Sequence, residues 1–268
     1  QLYPARKPGF RDTYEFVTLN RNGHLLEITL NRPEVRNALH PPAHEELDEI
    51  FDAYFADPEL WVAIITGAGT ESFCAGNDLK YSAKKPVYLP NNGFAALTRR
   101  GNRIKPVIAA VNGYAMGGGL EVCMACDLVV ADANASFGLT EVKVGLVAGE
   151  GGLVRLSRRV APILANEMIL TGRVLKADEA LQEGLVNQVT PAGEALAGAR
   201  DLAARILDAS PTSVRVSLEI MRDTESVPDE LAAVRWRHPA IDDLMSSEDA
   251  IEGPKAFAEK RKPKWKNL

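Results

Sequence analysis

An α/β core with parallel strand pairing, followed by a purely helical C-terminal region, is the fold class this sequence predicts. Three observations lead there. Two continuous apolar runs, WVAIITG (61–67) and PVIAAVNG (106–113), end in glycine, the style of strands buried on both faces. Each run leads through a glycine-containing turn towards a helical stretch, and strand and helix alternating in that way favour parallel pairing with right-handed crossovers. From about residue 194 the strands stop, and 195–208, 212–224 and 227–237 read as helices punctuated by Pro211 and Pro228.

The elements follow in order. YEFVTLN (14–20) and HLLEITL (24–30) are strand-rich, and Asn22-Gly23 between them favours a type I′ hairpin turn. Residues 43–56 place Leu47, Ile50, Phe51, Tyr54 and Phe55 at helical spacing. After the strand 61–67 come a Gly/Ser-containing segment and a loose stretch, KKPVYLPNNG (84–93), leading to a helix near 94–104. The second buried run ends in a glycine triplet, Gly117 to Gly119. LEVCMACD (120–127) is apolar enough for a core helix, and LVVAD (128–132) reads as a short strand. The division expected is an α/β core over 1–194 and a helical region over 195–268.

Composition removes several function classes. With 268 residues, 46% of them hydrophobic and 25% charged, the chain has the material for a large core without disulfide or metal staples. A net charge of −5 disfavours nucleic acid as a partner. No uncharged apolar run approaches the ~20 residues of a membrane span, and the opening QLYPARKPGF has no apolar signal-peptide centre. Three cysteines, an odd number, favour a reducing compartment, so a cytoplasmic location is expected. Cys123 and Cys126 form a C-x-x-C, but zinc wants about four ligands and the rest of the chain offers it little, so both are expected as small buried helix residues. His40 and His44, four apart on a helical face, are expected at the surface. No metal is expected.

Two glycine turns carry the chemistry. VIAAVNGYAMGGG (107–119) delivers a buried strand to a glycine cluster where a helix starts, and a helix N-terminus offers unpaired N–H groups and partial positive charge. The spacing is neither G-x-G-x-x-G nor a P-loop. Close helix–sheet packing and binding of a developing oxyanion are both compatible with it. Phe73-Cys74-Ala75-Gly76-Asn77-Asp78 also follows a buried run, so N–H donors from two strand ends would flank one carbonyl oxygen.

At this point the chain resembles the enoyl-CoA hydratase/isomerase (crotonase) family over nearly its whole length. The segments that carry the resemblance are NRPEVRNAL (31–39), AIITGAGTESFCAGNDL (63–79), KPVIAAVNGYAMGGGLE (105–121), CDLVVADANASFGLTEVKVGLVAGEGG (126–152), LTGRVLKADEALQEGLVNQV (170–189) and EGPKAFAEKRKPKWK (252–266). The resemblance implies a spiral of repeated ββα units with C-terminal helices that make trimers, often paired into hexamers. It implies acyl-CoA thioester substrates and no separate cofactor, coenzyme A being part of the substrate.

By motif, the resemblance implies an oxyanion hole made of the backbone N–H groups of Asn77 and Gly118, and catalytic glutamates at Glu121 and Glu141. The chemistry asks for such a pair: water loses a proton as it attacks Cβ, and Cα gains one on the same face. Gly149, eight residues after Glu141, matches the hydratase pattern as a water-positioning residue, where dienoyl-CoA isomerases and carnitinyl-CoA dehydratases carry Asp. Substrate and coenzyme A contacts are expected from Arg32, Arg36, Ala38 and Ala75, and from Phe257 and Lys260 on the C-terminal helix, sometimes towards a neighbouring subunit. The chain departs from the hydratase pattern at Thr140, where Pro is common, in the turn 147–152, which lacks the usual Pro, and at Asn77, which is bulkier than usual. Glu150 is an extra carboxylate with no assigned role. The tail 246–265 looks particularly like the carnitinyl-CoA dehydratases. The expected activity is hydration of a trans-2-enoyl-CoA to the 3-hydroxyacyl-CoA. A carnitinyl-CoA dehydratase-like or isomerase activity, or a non-catalytic scaffold or RNA-binding role, are the alternatives. Residues 81–100 are expected to line the acyl pocket.

Overall fold

Each buried apolar run becomes a strand of one sheet and then turns into a short strand of a second. The computed structural model describes residues 9–85, 88–101 and 103–267. In chain order its elements begin β1 (Val17–Asn22), β2 (Leu25–Leu30), α1 (Pro41–Ala56), β3 (Val62–Gly67), β4 (Ser72–Cys74) and α2 (Leu79–Ser82). Then follow β5 (Val107–Val111), β6 (Tyr114–Met116), α3 (Gly118–Ala125), β7 (Leu128–Asp132), β8 (Ser136–Gly138), α4 (Gly152–Arg159), α5 (Pro162–Thr171), β9 (Val174–Lys176), α6 (Ala177–Gln182) and β10 (Gln188–Thr190). The chain closes with α7 (Ala195–Leu207), α8 (Pro211–Thr224), α9 (Glu230–Arg235), α10 (Pro239–Met245) and α11 (Glu248–Ala258).

The larger sheet has the order β1-β2-β3-β5-β7-β10, parallel apart from the β1–β2 hairpin. The smaller has the order β4-β6-β8-β9, with β4, β6 and β8 parallel and β9 antiparallel. The pairs β3–β4, β5–β6 and β7–β8 are the successive windings of the expected ββα spiral.

The period-2 geometry of a strand explains why these runs are apolar throughout. Ala63 and Ile65 of β3, with Val107, Ala109 and Val111 of β5, face the main core, while Val62, Ile64, Ile108 and Ala110 face the other side. That second side is covered by α7 through Ala199 and Ala203, and a Cβ on Gly198 would stand 2.5 Å from Thr190 Cγ2, so only glycine admits this approach. On the first side, α1 buries Leu47, Ile50, Phe51 and Tyr54, each worth about 1.5–3 kcal/mol of transfer free energy. The Tyr54 hydroxyl, unable to stay dry and unpaired, donates to the Pro106 carbonyl at 2.7 Å.

Two expectations are corrected in detail. The hairpin register pairs Asn22 with Leu25, so the two-residue turn is Gly23-His24, one position later than Asn22-Gly23, with Gly23 at φ +57°. Among the described residues of 94–104 no α-helix forms, only one 3-10 turn, at Phe94–Ala96, because Ala95 and Ala96 adopt positive φ and side chains from other elements take up the loop's polar groups. As expected, no described strand follows β10. No helix among the described residues is long and apolar enough to cross a membrane.

Candidate active site

Three adjacent parallel strands of the smaller sheet, β4, β6 and β8, end on one side, and the turns beyond them meet. Crevices at the carboxyl ends of parallel strands are natural binding places, since each strand there releases its chain into a free loop. Beyond β4 lies Asn77, beyond β6 lies Gly118, and beyond β8 lies Glu141 on a single 3-10 turn, Glu141–Val144. The Gly117 N–H donates to the Gly138 carbonyl at 2.8 Å, which fastens the second turn to the third. A Cβ on Gly76 would stand 3.2 Å from the Gly118 nitrogen, which shows how closely the first two turns approach.

Within the glycine triplet each residue has its own reason. Gly117 takes φ +55° as the cap of α3. Gly119 lies against β4, where a Cβ would fall 2.0 Å from the Cys74 carbonyl oxygen. Gly118 is the first residue of α3, so its N–H has no partner within the helix. Among the described residues, neither the Gly118 N–H nor the Asn77 N–H has a hydrogen-bond acceptor. The Asn77 side chain is turned to Ser82 Oγ, at 2.9 Å. Gly118 packs closely too, since a Cβ there would stand 2.7 Å from the Phe94 ring, so close packing and a free N–H coincide in it.

Both glutamates reach the same cavity, of about 320 Å³, together with Asn77, Gly118, Ala75, Gly149 and Glu150. Glu121, in the first turn of α3, is buried, and its Oε1 accepts the Gly152 N–H at 2.8 Å. Burial pushes its carboxyl up to about 7; the Gly152 N–H opposes this and the Glu141 charge adds to it. Burial also raises Glu141, whose Oε2 is enclosed and without a hydrogen-bond partner. The Glu141 charge thus favours the protonated form of Glu121, the condition under which neighbouring carboxyls divide acid and base roles.

A stability consequence follows, with its sign fixed by the direction of the shift. The folded state holds the Glu121 proton more tightly than the unfolded chain, so stability falls as pH rises from 4.5 to about 7 and is level above. Glu121→Gln removes this titration. Its advantage over the parent in urea or thermal midpoint, at matched protein concentration, should grow across that window by about 3 kcal/mol. A pH-independent difference would contradict the burial of an ionised Glu121.

The remaining walls are apolar but for Thr140, with side chains of Leu79, Leu89, Phe94, Val144, Leu146 and Val147. Of the segment 81–100, expected to form the pocket, Leu89 and Phe94 contribute, and its Pro86 and Val87 lie outside the described residues. The turn around 144–150 supplies as much of the wall. Phe94 falls within the segment expected to line the pocket but was not singled out there, the Gly152 N–H was not expected at the site, and Glu150 had no role there. Only the loop's unusual NNG (91–93) hinted at the first.

The residues expected at the coenzyme A end are more dispersed. Ala75 lines the cavity, and its N–H donates to the Arg36 carbonyl at 3.0 Å. Arg36 is exposed and pairs with Glu71 at 2.7 Å. Arg32 is largely enclosed, donating to the Ala38 carbonyl at 2.5 Å and pairing with Asp78 at 3.0 Å. Its guanidinium thereby holds the loop that carries Ala38. Phe257 is 87% exposed on α11, and Lys260 follows the helix at φ 53°; neither borders the cavity of this chain.

His40 and His44 are not surface histidines as expected but are buried, because α1 turns that face inward. His44 Nδ1 accepts the Ala95 N–H at 3.0 Å. The three cysteines are free and buried, and burial raises their thiols, so they are inert. Among the described residues, the one cluster with metal-ligand spacing is Glu219, Asp223 and His238, outside the cavity. His238 meets Asp223 with Nε2 at 2.9 Å and caps Ala240 with Nδ1, so both nitrogens are occupied. A larger opening, about 430 Å³, between α11 and the tail is lined by Glu248, Glu252, Arg261 and Lys266, whose charges pair with each other.

A spiral α/β fold brings Asn77, Gly118 and two carboxyls held above their ordinary range to the border of one largely apolar cavity. Comparison with known proteins gives the class. The family model described as enoyl-CoA hydratase/isomerase matches residues 20–268, and the chain belongs to that family. It is 46% identical over 261 residues to the carnitinyl-CoA dehydratase of Escherichia coli strain K12, covering 94% of this chain and 98% of that one. The crystal structure of enoyl-CoA hydratase from Mycobacterium tuberculosis H37Rv superposes with a TM-score of 0.89 at 38% identity, over 94% of this chain and 99% of that one. That of carnitinyl-CoA hydratase from Mycobacterium avium gives 0.76 at 41% identity, over 96% and 100%. The protein is an enzyme, a hydro-lyase of the enoyl-CoA hydratase type.

Proposed function

We propose that the protein adds water across the 2,3 double bond of a trans-2-enoyl-CoA to give the 3-hydroxyacyl-CoA. One observation carries this reading: the buried Glu121, the half-buried Glu141 and two N–H donors that have no acceptor among the described residues border a single, largely apolar cavity. The Asn77 and Gly118 N–H groups hold the thioester oxygen, at the dipole end of α3 in the case of Gly118, and stabilise the enolate as charge builds there. The ionised member of the glutamate pair takes a proton from water as its oxygen bonds to Cβ. The protonated member gives its proton to Cα. Glu141 Oε2 offers a free acceptor for that water, and Gly149, which lines the same cavity, adds no side chain to it. The reaction needs no separate cofactor, because coenzyme A arrives with the substrate; Ala75 borders the cavity, and Ala38, Arg32 and Arg36, joined to it through the loop 32–38, are assigned to the coenzyme A end in this reading. Loss of the enoyl-thioester absorbance on adding crotonyl-CoA tests the reading, and inert crotonyl-CoA with a turned-over longer enoyl-CoA would move it to another acyl group.

A second reading, dehydration of a carnitinyl thioester, is favoured by the 46% identity to carnitinyl-CoA dehydratases. A carnitinyl group brings a quaternary ammonium, which asks for an aromatic face or a free carboxylate. Here the aromatic wall is Phe94 alone, and the further carboxylate, Glu150, is paired with Arg99. An apolar acyl chain suits these walls better. The ratio of kcat/KM for the two thioesters decides between them.

Residues 195–268 serve assembly in this reading. Met221, Val234, Met245, Ile251 and Phe257 are each 66% exposed or more, as are Ile163 and Leu170 on α5, and such apolar surface calls for a partner. A homotrimer or dimer of trimers is the expected state, with Phe257 and Lys260 turned to a neighbouring subunit. Light scattering at micromolar concentration should report a multiple of three chains; a stable monomer would contradict it. The free, buried cysteines suit a reducing cytoplasm.

A further inference from the structure

Glu150 lines the cavity, yet no step of the proposed reaction uses it. Its side chain, 13% exposed, is turned onto the loop that follows Gly93. There it accepts the Phe94 N–H at 3.3 Å and the Thr98 hydroxyl at 3.1 Å, and it pairs with Arg99. The loop is shaped to receive this carboxylate. Gly93 has φ +80°, and a Cβ there would stand 2.8 Å from Glu150 Oε2 and 2.5 Å from Thr98 Oγ1.

The gripped loop is under strain. Ala95 and Ala96 hold φ of 50° and 53°, a region that residues with a Cβ avoid and keep only when their surroundings impose it. From behind, His44 imposes it by accepting the Ala95 N–H, and Arg155 does so by donating to the Thr98 carbonyl at 2.6 Å. From the cavity side the restraint is Glu150. What the loop carries is Phe94, whose ring atoms lie 2.7 Å from where a Gly118 Cβ would be. The ring therefore rests directly on the glycine whose N–H is assigned to the thioester oxygen. The same turn that carries Glu150 also supplies the Gly152 N–H to Glu121.

Resting on the acyl-thioester reading above, we propose that Glu150 is a positioning residue for substrate selection: its carboxylate clamps the Gly93–Arg99 loop so that Phe94 stays over Gly118 and limits the acyl group that fits. Without the clamp the strained loop relaxes, Phe94 withdraws, and longer acyl chains gain relative to short ones. Glu150 touches no reacting atom.

The test is calorimetric binding of saturated butyryl-CoA and octanoyl-CoA, which needs no turnover. Glu150→Ala should shift the ratio of the two Kd values by about tenfold in favour of octanoyl-CoA, the scale of a pocket gaining or losing a methylene contact. Glu150→Gln keeps an acceptor oxygen but loses the charge that holds Arg99, and should shift the ratio partway. Phe94→Ala should shift it in the same direction, and adding Glu150→Ala to it should change the ratio little further. Equal weakening of both ligands by Glu150→Ala, or fully additive effects with Phe94→Ala, would overturn the proposal. If Glu150→Ala does not fold, Glu150→Gln and Phe94→Ala decide the matter. A parent protein that binds neither thioester refutes the acyl-thioester reading itself; one that binds both, with ratios unmoved by the variants, refutes only the clamp.

Discussion

Glu141→Gln and Glu121→Gln should each lower the rate of enoyl-thioester hydration by at least about 100-fold, the range of general acid–base catalysis, while acyl-CoA affinity stays within a few-fold. The two losses have different origins. At Glu141 the structure leaves Oε2 enclosed without a partner, an acceptor that costs free energy unless something small and polar, such as the reacting water, fills the place. At Glu121 one carboxylate oxygen is held by the Gly152 N–H, and glutamine can keep that bond but cannot take or give the proton. The double variant should be little worse than the weaker single one, because the pair moves protons as a unit. Near-parental turnover by either single variant, measured with several enoyl-CoA substrates, would remove that glutamate from the mechanism.

The second large effect concerns an atom rather than a side chain. Replacing the Gly117–Gly118 amide by an ester deletes the Gly118 N–H and adds no bulk. It should reduce kcat/KM by about 100- to 1,000-fold, the usual cost of losing one oxyanion donor. The fold should feel it only slightly. That N–H has no acceptor among the described residues, so the main structural cost is a weaker Gly117 carbonyl for the Glu121 N–H, about 1 kcal/mol. Gly118→Val is a poorer probe than the bare sequence suggests, since the new Cβ would collide with the Phe94 ring. A folded ester protein with parental turnover would make Gly118 a packing residue alone.

What could be read from the sequence was whatever depends on local periodicity or on a continuous motif. The buried strands, α1, and the end of strand formation before α7 all follow from apolar spacing, and Glu121, Glu141, Asn77 and Gly118 sit in contiguous motifs. The misreadings share a different cause. The stretch after Gly93 has helical composition, but its conformation is set by His44, Glu150 and Arg155, from two distant parts of the chain, and no local pattern records that. His40 and His44 looked exposed because their i, i+4 spacing says only that they share a face. Arg32 looked free for phosphate because Asp78, its partner, lies 46 residues away along the chain. The glycine triplet was ambiguous for a physical reason as well: a cap at positive φ and a close contact both demand glycine, Gly117 being the first and Gly118 and Gly119 the second.

The two N–H donors and Glu141 hang from the ends of β4, β6 and β8, strands registered to one another by backbone hydrogen bonds. Backbone registry does not depend on which side chains surround it. The described chain between Asp78 and Lys105, by contrast, supplies Leu79, Leu89 and Phe94 to the wall and meets the glycine turn through the Phe94 ring on Gly118. In the proposed reading, evolution and the protein engineer thus meet a molecule with two dials that touch where Phe94 rests on Gly118. One, made of peptide bonds, would set the chemistry, and the other, made of exchangeable loop residues, would set the clientele. Grafting the loop of a relative between Asp78 and Lys105 should therefore retune what is accepted without rebuilding how it reacts.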